Sequence, residues 1–314
     1  MVAVVIALLA GIVIGILSGL LGIGGGTMII PVLRLGFGLQ TLDATGTSLF
    51  TIILTSVSGS VGHIRNRTAN VRAGVIIGLA GACFSPLGSF FSNYLGDLVV
   101  MLIACAVFLY IAYTMLKKGF SLPKDGHGDA GEVVAGRTSG EGDADVRRAR
   151  DTLKPAPDAA RRGPSGEVAV AFAGRTEPQV STDAFHGRVT ARDVIVAVLI
   201  GSLAGFASGM LGIGGGFIII PLTCALFGFS MNEASGTSLI AILPLAITGT
   251  IAHAVAGEVA FLYGLAISLG SIPGAYLGAR ISPRLPERTL RIMFGFLLVA
   301  MTVILVLNEL GLLG

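Results

Sequence analysis

The chain has 314 residues, of which 53% are hydrophobic and only 12% are charged, and its mean hydropathy is +0.86. Soluble globular proteins carry about 25% charged residues, so this composition excludes an ordinary cytosolic enzyme and a disordered scaffold. The same composition excludes a nucleic-acid binder, while the formal net charge of +3 indicates little until the positions of the charges are known. The three cysteines lie inside apolar runs, which does not indicate a disulfide framework. These properties predict an integral membrane protein in contact with the lipid bilayer.

Eight apolar runs approach the length of about 20 residues that crosses a bilayer as a helix. They cover residues 2–22, 44–64, 73–95 and 97–116, and then residues 193–212, 234–256, 259–279 and 289–307. In each group of four, a shorter apolar piece follows the first run, at 27–38 and at 217–228. These pieces are too short to cross a bilayer alone.

A polar segment separates the two groups of runs. Of the 39 charged side chains (21 basic and 18 acidic), 21 lie between residues 119 and 190, in a sequence rich in Gly, Ala, Pro, Asp and Arg. Such a segment has too little apolar surface to offset the entropy lost on ordering. We therefore predict a first transmembrane repeat at 1–118, a flexible polar linker at 119–190 with a short helix near Asp143–Leu153, and a second repeat at 191–314.

The two apolar blocks are copies of one unit at an offset of 190 residues. SGLLGIGGGTMIIP at 18–31 matches SGMLGIGGGFIIIP at 208–221 in 11 of 14 positions, and DATGTSL at 43–49 matches EASGTSL at 233–239. Matches in one register without a gap indicate an internal duplication.

The number of crossings in each copy determines the symmetry. If the short piece completes a crossing with a broken neighbouring helix, each copy crosses five times, and ten basic residues fall on one side: Arg65, Arg67, Arg72, Lys117, Lys118, Arg192, Arg280, Arg284, Arg288 and Arg291. The positive-inside rule favours this arrangement, which is an inverted repeat with a cytoplasmic linker. Four crossings per copy would give a parallel repeat instead. We predict an all-α membrane protein with two inverted repeats of about five segments each.

The two GIGGG runs predict broken helices. Each glycine costs about 1 kcal/mol relative to alanine inside a helix, and Pro31 and Pro221 follow closely without an N–H group to donate. Unwound backbone persists in a membrane only where it is buried in protein or lines a wet cavity. The N–H groups that start the next half-helix are suited to an anion. Close packing of helices through glycine is the alternative.

The DATGTS and EASGTS motifs place several hydroxyl groups at the start of a long run. Together with free N–H groups, they could hold the oxygens of an oxyanion without a metal or cofactor, while hydrogen bonding within the helix is the alternative. The predicted substrate-binding residues are Gly24, Gly25, Gly26, Thr27, Thr45, Gly46, Thr47, Ser48, Gly214, Gly215, Gly216, Phe217, Ser235, Gly236, Thr237 and Ser238.

Five titratable residues are candidates for coupling or gating: Arg34, Asp43, His63, Glu233 and His253. The histidines can take up a proton near neutral pH, whereas unwound carbonyl groups could bind Na⁺. Helix capping by the two acids, an interfacial position for the histidines, and snorkelling of Arg34 toward the membrane surface are the alternatives.

The paired SGxLGIGGGxxxxP and [DE]A[TS]GTSL motifs resemble the sulfite exporter TauE/SafE family over nearly the whole chain apart from 119–190. The resemblance carries the family motifs onto Gly22–Thr27, Thr45–Ser48, Gly212–Phe217 and Ser235–Ser238. It implies a multi-pass secondary transporter of the bacterial cytoplasmic membrane that moves sulfite or organosulfonates such as sulfoacetate. From the two inverted halves we predict alternating access, and because the sequence contains no HExxH or CxxC motif we do not expect an enzyme. The anion, the direction of transport, the coupling ion (H⁺ or Na⁺) and homo-oligomerisation stay open. The alternatives are an anion channel, or a sensor or scaffold that acts through 119–190.

Overall fold

A computed structural model describes residues 2–95, 97–122, 185, 189–211 and 213–309, and every regular element within these ranges is a helix. In the first repeat, the helices are α1 (Val2–Leu21), α2 (Gly26–Pro31, continued by a π-helical turn over Val32–Gly36), α3 (Thr41–Arg65), α4 (Val71–Leu95) and α5 (Asp97–Ser121). In the second repeat, they are α6 (Ala191–Leu211), α7 (Gly216–Leu226), α8 (Met231–Val255), α9 (Phe261–Ile281, followed by a 3₁₀ turn over Ser282–Arg284) and α10 (Glu287–Glu309). The short helix predicted near Asp143–Leu153 and the predicted flexibility of the linker lie outside the described residues.

Seven of the described helices are long and apolar enough to cross a membrane, namely α3, α4, α5, α6, α8, α9 and α10. By the same measure α2 and α7 are short apolar helices, and so is the part of α1 that begins at Ile6. The prediction of an all-α, multi-pass membrane protein is therefore confirmed.

The most extensive helix contacts join one repeat to the other. Helix α1 packs on α9, α4 on α6, α3 on both α8 and α9, α4 on α8, and α5 on α10. The repeat makes α1 equivalent to α6, α3 to α8, α4 to α9, and α5 to α10. When each helix is exchanged for its equivalent, the same set of pairs results. The core is therefore built between the repeats rather than within either of them.

Small residues allow the closest of these pairs to form. A Cβ atom added at Gly15 of α1 would lie 2.7 Å from the Cα atom of Ser271 in α9. One added at Gly205 of α6 would lie 2.5 Å from the Cα atom of Gly81 in α4. Both distances are too short for real atoms, so glycine sets the spacing of these helices, as it does at many transmembrane interfaces.

Contacts along the pairs give the relative directions of the helices. Gly46 at the start of α3 packs on His253 near the end of α8, and Gly236 at the start of α8 packs on His63 near the end of α3. Helices α3 and α8 are equivalent in the two repeats, and these contacts make them antiparallel.

The other pairs extend this arrangement. Helices α5 and α10 are antiparallel because Gly119 at the end of α5 packs on Arg291 near the start of α10. Matching contacts make α1 and α3 parallel to α9, and α4 parallel to α6 and α8. One side of the bundle therefore carries Ser121 and Ala191, and we call it the linker side. The opposite side carries Val2 and Glu309, and we call it the terminal side.

Ten of the described basic residues outside the linker lie on one side of the bundle. The ten that the sequence analysis assigned to one side lie at the ends of α3, α5 and α9, at the starts of α4, α6 and α10, or in the turns between them. All of these places are on the linker side.

Candidate substrate site

Both GIGGG motifs interrupt a helix, one between α1 and α2 and the other between α6 and α7. The φ angles are 79° and 85° at Gly24 and Gly25, and 87° and 72° at Gly214 and Gly215. This left-handed region is open to glycine and unfavourable for residues with a Cβ atom. The glycines therefore allow the chain to reverse direction between the two helices on either side of each motif.

The two breaks contact each other between the repeats. A Cβ atom added at Gly26 would lie 2.7 Å from the carbonyl oxygen of Ile213, and Gly216 meets the first motif in the equivalent way. The fully buried side chains of Ile52 in α3 and Ile242 in α8 lie against both motifs. The junction of the breaks is therefore closely packed and mainly apolar.

Two threonines of the hydroxyl motifs join the repeats. The Thr47 Oγ1 atom accepts a hydrogen bond of 2.9 Å from the backbone N–H of Ala260, in the turn between α8 and α9. The Thr237 Oγ1 atom accepts one of 3.0 Å from the backbone N–H of Asn70, in the turn between α3 and α4. Both threonines are fully buried. The same bond thus forms twice and holds each turn against the other repeat.

The serines of the second motif also bond to backbone, whereas the buried Ser48 hydroxyl of the first motif has no hydrogen-bond partner among the described residues. The Ser238 hydroxyl donates to the carbonyl oxygen of Gly22 at 2.6 Å, which links α8 to the first break. The Ser235 hydroxyl donates to the carbonyl oxygen of Met231 within its own helix, at 2.8 Å. Ser48 is the equivalent of Ser238, and the equivalent of Gly22 lies outside the described residues.

The two predicted histidines have different partners. His63 is fully buried on the linker side, and its Nε2 atom donates to the carbonyl oxygen of Gly19 at 2.8 Å, while Thr68 Oγ1 lies 2.9 Å from its Nδ1 atom. His253 lies on the terminal side, where its Nδ1 atom is 2.7 Å from a carboxylate oxygen of Glu258. Of the two histidines, only His253 lies within hydrogen-bonding distance of a carboxylate among the described residues.

The two predicted acids lie in the first turns of α3 and α8. Next to Glu233, the Ser230 hydroxyl accepts a hydrogen bond of 3.3 Å from the Glu233 backbone N–H and so caps α8. Carboxylates in a first helical turn interact favourably with the helix dipole. Asp43 and Glu233 therefore occupy the positions expected of the capping alternative.

A cavity of about 150 Å³ lies between the repeats on the terminal side. The first repeat contributes α2 with its π-helical turn, the start of α3, and α5, while the second contributes the end of α6, the second break and α10. The lining residues are Thr27, Ile30, Pro31, Arg34, Leu35, Thr45, Phe108, Leu211, Ile213, Met301, Ile304 and Leu305. Thr27, Arg34 and Thr45 are the predicted site residues that meet here.

The polar groups of this cavity are few. Within the described part of the chain, Arg34 is the one charged residue that lines the cavity, and its guanidinium forms no hydrogen bond or ion pair. The Thr27 side chain is only 4% exposed, and its hydroxyl has no hydrogen-bond partner among the described residues. Leaving a buried hydroxyl unpaired costs about 1–3 kcal/mol. The cavity therefore offers a cation to a ligand, and the unpaired Thr27 hydroxyl is buried in its wall.

The equivalent space on the linker side is closed. Phe217 stands where the first repeat has Thr27, is fully buried, and stacks edge-on against Phe108 with ring centroids 4.8 Å apart. Cys224 stands at the position of Arg34. Most of the remaining equivalents are buried as well, namely Leu21, Ile23, Ile111, Met115, Ile220, Ser235 and Leu298. The two repeats thus share a backbone pattern but not a cavity.

The sequence analysis missed the walls that α5 and α10 provide, including Phe108 and Met301. These residues belong to ordinary apolar runs without a motif. Whether they face the cavity depends on how helices of different repeats pair. Within the described residues, no group of three or more His, Cys, Asp and Glu side chains could hold a metal ion.

The profile of the family described as "Sulfite exporter TauE/SafE" matches residues 7–305. The chain belongs to this family. The resemblance seen in the paired motifs is thereby confirmed for nearly the full length.

Relatives of this TauE/SafE chain occur in bacteria and archaea. "Probable membrane transporter protein YunE" of Bacillus subtilis is 24% identical over 293 residues, which cover 91% of both chains. "Probable membrane transporter protein MJ0441" of Methanocaldococcus jannaschii is 24% identical over 315 residues, which cover 96% of this chain and 94% of the relative. No solved structure matches the chain. The relatives are named as transporters and not as enzymes, in agreement with the sequence-based expectation.

Proposed function

We propose that this TauE/SafE chain is a secondary transporter that moves a small sulfur-containing anion across the bacterial cytoplasmic membrane by alternating access. Sulfite and organosulfonates such as sulfoacetate are the proposed substrates. The observation that carries the proposal is the cavity between the repeats, which Arg34 and Thr27 line and whose equivalent positions on the linker side are mostly buried.

The chemistry of the cavity favours an anion. Among the described residues, no acidic side chain lines it, so nothing opposes the positive charge of Arg34. A guanidinium group offers several N–H donors in a planar fork that fits the oxygens of an oxyanion. Thr27 and Thr45 line the same cavity. Of the sixteen predicted substrate-binding residues, we propose that Thr27 and Thr45 contact the anion, and that the others shape the backbone around it.

The helix directions support alternating access. Equivalent helices of the two repeats run antiparallel in the pairs α3–α8 and α5–α10, as expected for inverted repeats. In such a protein the outward-open and inward-open states arise when the repeats exchange conformations. A cavity on the terminal side, with mostly buried equivalent positions on the linker side, is the asymmetry expected of one of these states. The ten basic residues of the linker side favour its placement in the cytoplasm.

We propose H⁺ as the coupling ion, with Na⁺ as the competing candidate. The pair of His253 and Glu258 lies on the terminal side, the same side as the cavity, with the His253 Nδ1 atom 2.7 Å from the carboxylate. The two side chains are 21% and 27% exposed. Solvent can therefore deliver a proton to this pair without crossing the core.

The test is transport by the purified full-length protein in liposomes. We expect saturable uptake of radiolabelled sulfite or sulfoacetate that is accelerated by the same anion on the opposite side of the membrane. Arg34→Gln should reduce uptake at least tenfold, while Cys224→Ala, at the equivalent position in the packed half, should not. Flux without saturation and without acceleration from the opposite side would indicate a channel instead. Absence of any flux with intact, folded protein would refute transport.

A further inference from the structure

A second cavity lies on the linker side and shares no lining residue with the candidate substrate site. Its volume is about 450 Å³, which is in the range of sites that hold small molecules. The turn between α3 and α4 forms one wall, with Arg67, Asn70 and Arg72. The start of α8 forms another, with Ser230 and Glu233. The cavity therefore lies between the two repeats, and we call it the linker-side cavity.

Two cations line this cavity, Arg67 and Arg72. Both are exposed, and within the described part of the chain neither guanidinium forms a hydrogen bond or an ion pair. Glu233, which is half-buried, is the one acidic residue among the described residues of the lining. At the positions equivalent to the two arginines, the second repeat has Gly257 and Leu262. The pair of cations is thus confined to the linker side.

The backbone of Arg67 has a left-handed conformation, with φ at 56°. Arg67 follows the end of α3, where its N–H donates to the carbonyl oxygen of Ile64 and the N–H of Thr68 donates to that of His63. Gly257 follows the end of α8 with the equivalent bonds and with φ at 78°. Glycine is the usual residue at this position of a helix end, because a Cβ atom is strained there.

The basic residues of the linker side are explained in general by the orientation of the protein in the membrane. This explanation does not cover the position of Arg67. A cation at any other place in the turn would orient the protein equally well and without backbone strain. Strained backbone positions are typical of sites that hold a ligand. Arg67 therefore indicates a ligand of the linker-side cavity.

We propose that the linker-side cavity binds a phosphate group and that the bound phosphate slows transport. A phosphate group carries about two negative charges near neutral pH, which Arg67 and Arg72 balance, and its oxygens fit the planar guanidinium fork. Inorganic phosphate also keeps an O–H group that a carboxylate such as Glu233 can accept. Sulfate and sulfonates have no such proton. Free phosphate, a small phosphate ester and a lipid headgroup all supply this group.

The effect on transport rests on the proposed function, whereas the binding does not. The turn between α3 and α4 belongs to the first repeat, and Ser230 and Glu233 belong to the second. The Thr237 hydroxyl already joins these walls through the backbone N–H of Asn70, at 3.0 Å. A ligand held by both walls adds to this connection. Because alternating access requires the linker side to open, a ligand that binds the closed form more tightly slows the cycle.

The first experiment measures binding of radiolabelled inorganic phosphate to the purified full-length protein in a maltoside detergent, which contains no phosphate. We expect saturable binding, for which sulfate and methanesulfonate compete at least about tenfold less well than phosphate and glycerol phosphate, the difference expected for one hydrogen bond to a charged group. Displacement of phosphate by added phosphatidylglycerol would assign the cavity to a lipid headgroup, and binding that the lipid leaves unchanged would assign it to free phosphate or a small ester. Absence of phosphate binding, or equal competition by sulfate, would overturn the proposal.

Variants separate a ligand site from a structural role. Arg67→Gly introduces the residue of the equivalent turn, so it should weaken phosphate binding at least about tenfold and raise the Tm by removing strain. Arg72→Leu should weaken binding without raising the Tm, and it tests the cavity if the first variant does not fold. Arg280→Gln removes a linker-side charge outside the cavity and should leave binding unchanged. A lower Tm and an unchanged phosphate affinity in Arg67→Gly would refute the role of Arg67 in binding.

Uptake in liposomes tests the effect on transport. Phosphate on the linker side should slow sulfite uptake by the wild-type protein but not by the Arg67→Gly variant. Equal inhibition of both proteins would place the phosphate in the substrate cavity and overturn the proposed regulation, and so would unchanged uptake with phosphate bound. Phosphate binding to a folded protein that transports no anion would refute the proposed function and the regulation while the binding site stands.

Discussion

Replacing Thr47 by valine removes one of the two equivalent hydrogen bonds between the repeats. Valine has nearly the same shape as threonine, so the substitution opens no cavity, but the backbone N–H of Ala260 loses its acceptor at 2.9 Å. Thr47 is fully buried and Ala260 is half-buried, so water can compensate the Ala260 N–H only in part. Leaving such a donor unpaired costs about 1–3 kcal/mol in the free energy of unfolding. Thr237→Val should cost a similar amount through Asn70.

The two bonds lie on opposite sides of the bundle, so their effects should add. The double variant is therefore expected to lose about 2–6 kcal/mol, whereas Thr47→Ser keeps the acceptor oxygen and should stay close to the wild type. The measurement is denaturant unfolding of the purified protein in detergent, followed by circular dichroism because the chain has no tryptophan. Anion affinity should change little at concentrations where the protein is folded. An unchanged unfolding midpoint together with a lost anion affinity would refute the reasoning and assign the hydroxyl to the substrate.

Three further predictions concern other parts of the chain. Gly214→Ala should lower the free energy of unfolding by about 1–2 kcal/mol, because φ is 87° there. Gly36→Ala is the control and should not lower it, because Gly36 has open space around it. Equal effects of the two substitutions would argue against backbone strain at Gly214. Phe217→Ala should cost about 3–5 kcal/mol, since it removes a fully buried ring stacked on Phe108, and a loss below 1 kcal/mol would contradict tight packing on the linker side. Replacing residues 127–179 by a short Gly-Ser linker should preserve anion uptake in liposomes, and loss of uptake with intact folding would favour a sensor or scaffold role.

Much of the fold follows from hydropathy and the internal repeat. Each of the eight predicted long runs falls on a described helix, and the short pieces at 27–38 and 217–228 fall on α2 with its π-helical turn and on α7. The helices differ from the predicted runs by a few residues at their ends, because polar residues such as Thr41 and Arg65 extend the apolar part of α3. The inverted relation of the repeats stays a prediction, which the antiparallel pairs support.

Fewer of the residues that line the cavity could be predicted from the sequence. The motifs identified Thr27 and Thr45, and Arg34 was notable as a cation away from the others, but nothing local distinguished Thr45 from Thr47. Thr45 lines the cavity, whereas Thr47 bonds to a turn more than 200 residues away in the sequence. That difference depends on which helix of the second repeat packs against α3, and a periodic pattern within one helix contains no information about this choice.

The pairing of helices across the repeats has a consequence for biogenesis. Helix α1 packs mainly on α9, whose first residue, Phe261, is synthesised 240 residues after Leu21. At about 5–20 residues per second, the ribosome needs roughly 10–50 s to supply that partner. During this interval the glycine-rich face of α1 must be covered by lipid, by the translocation machinery or by a chaperone. The first repeat therefore stays incompletely folded until the second repeat has been synthesised, and the two repeats complete their fold together.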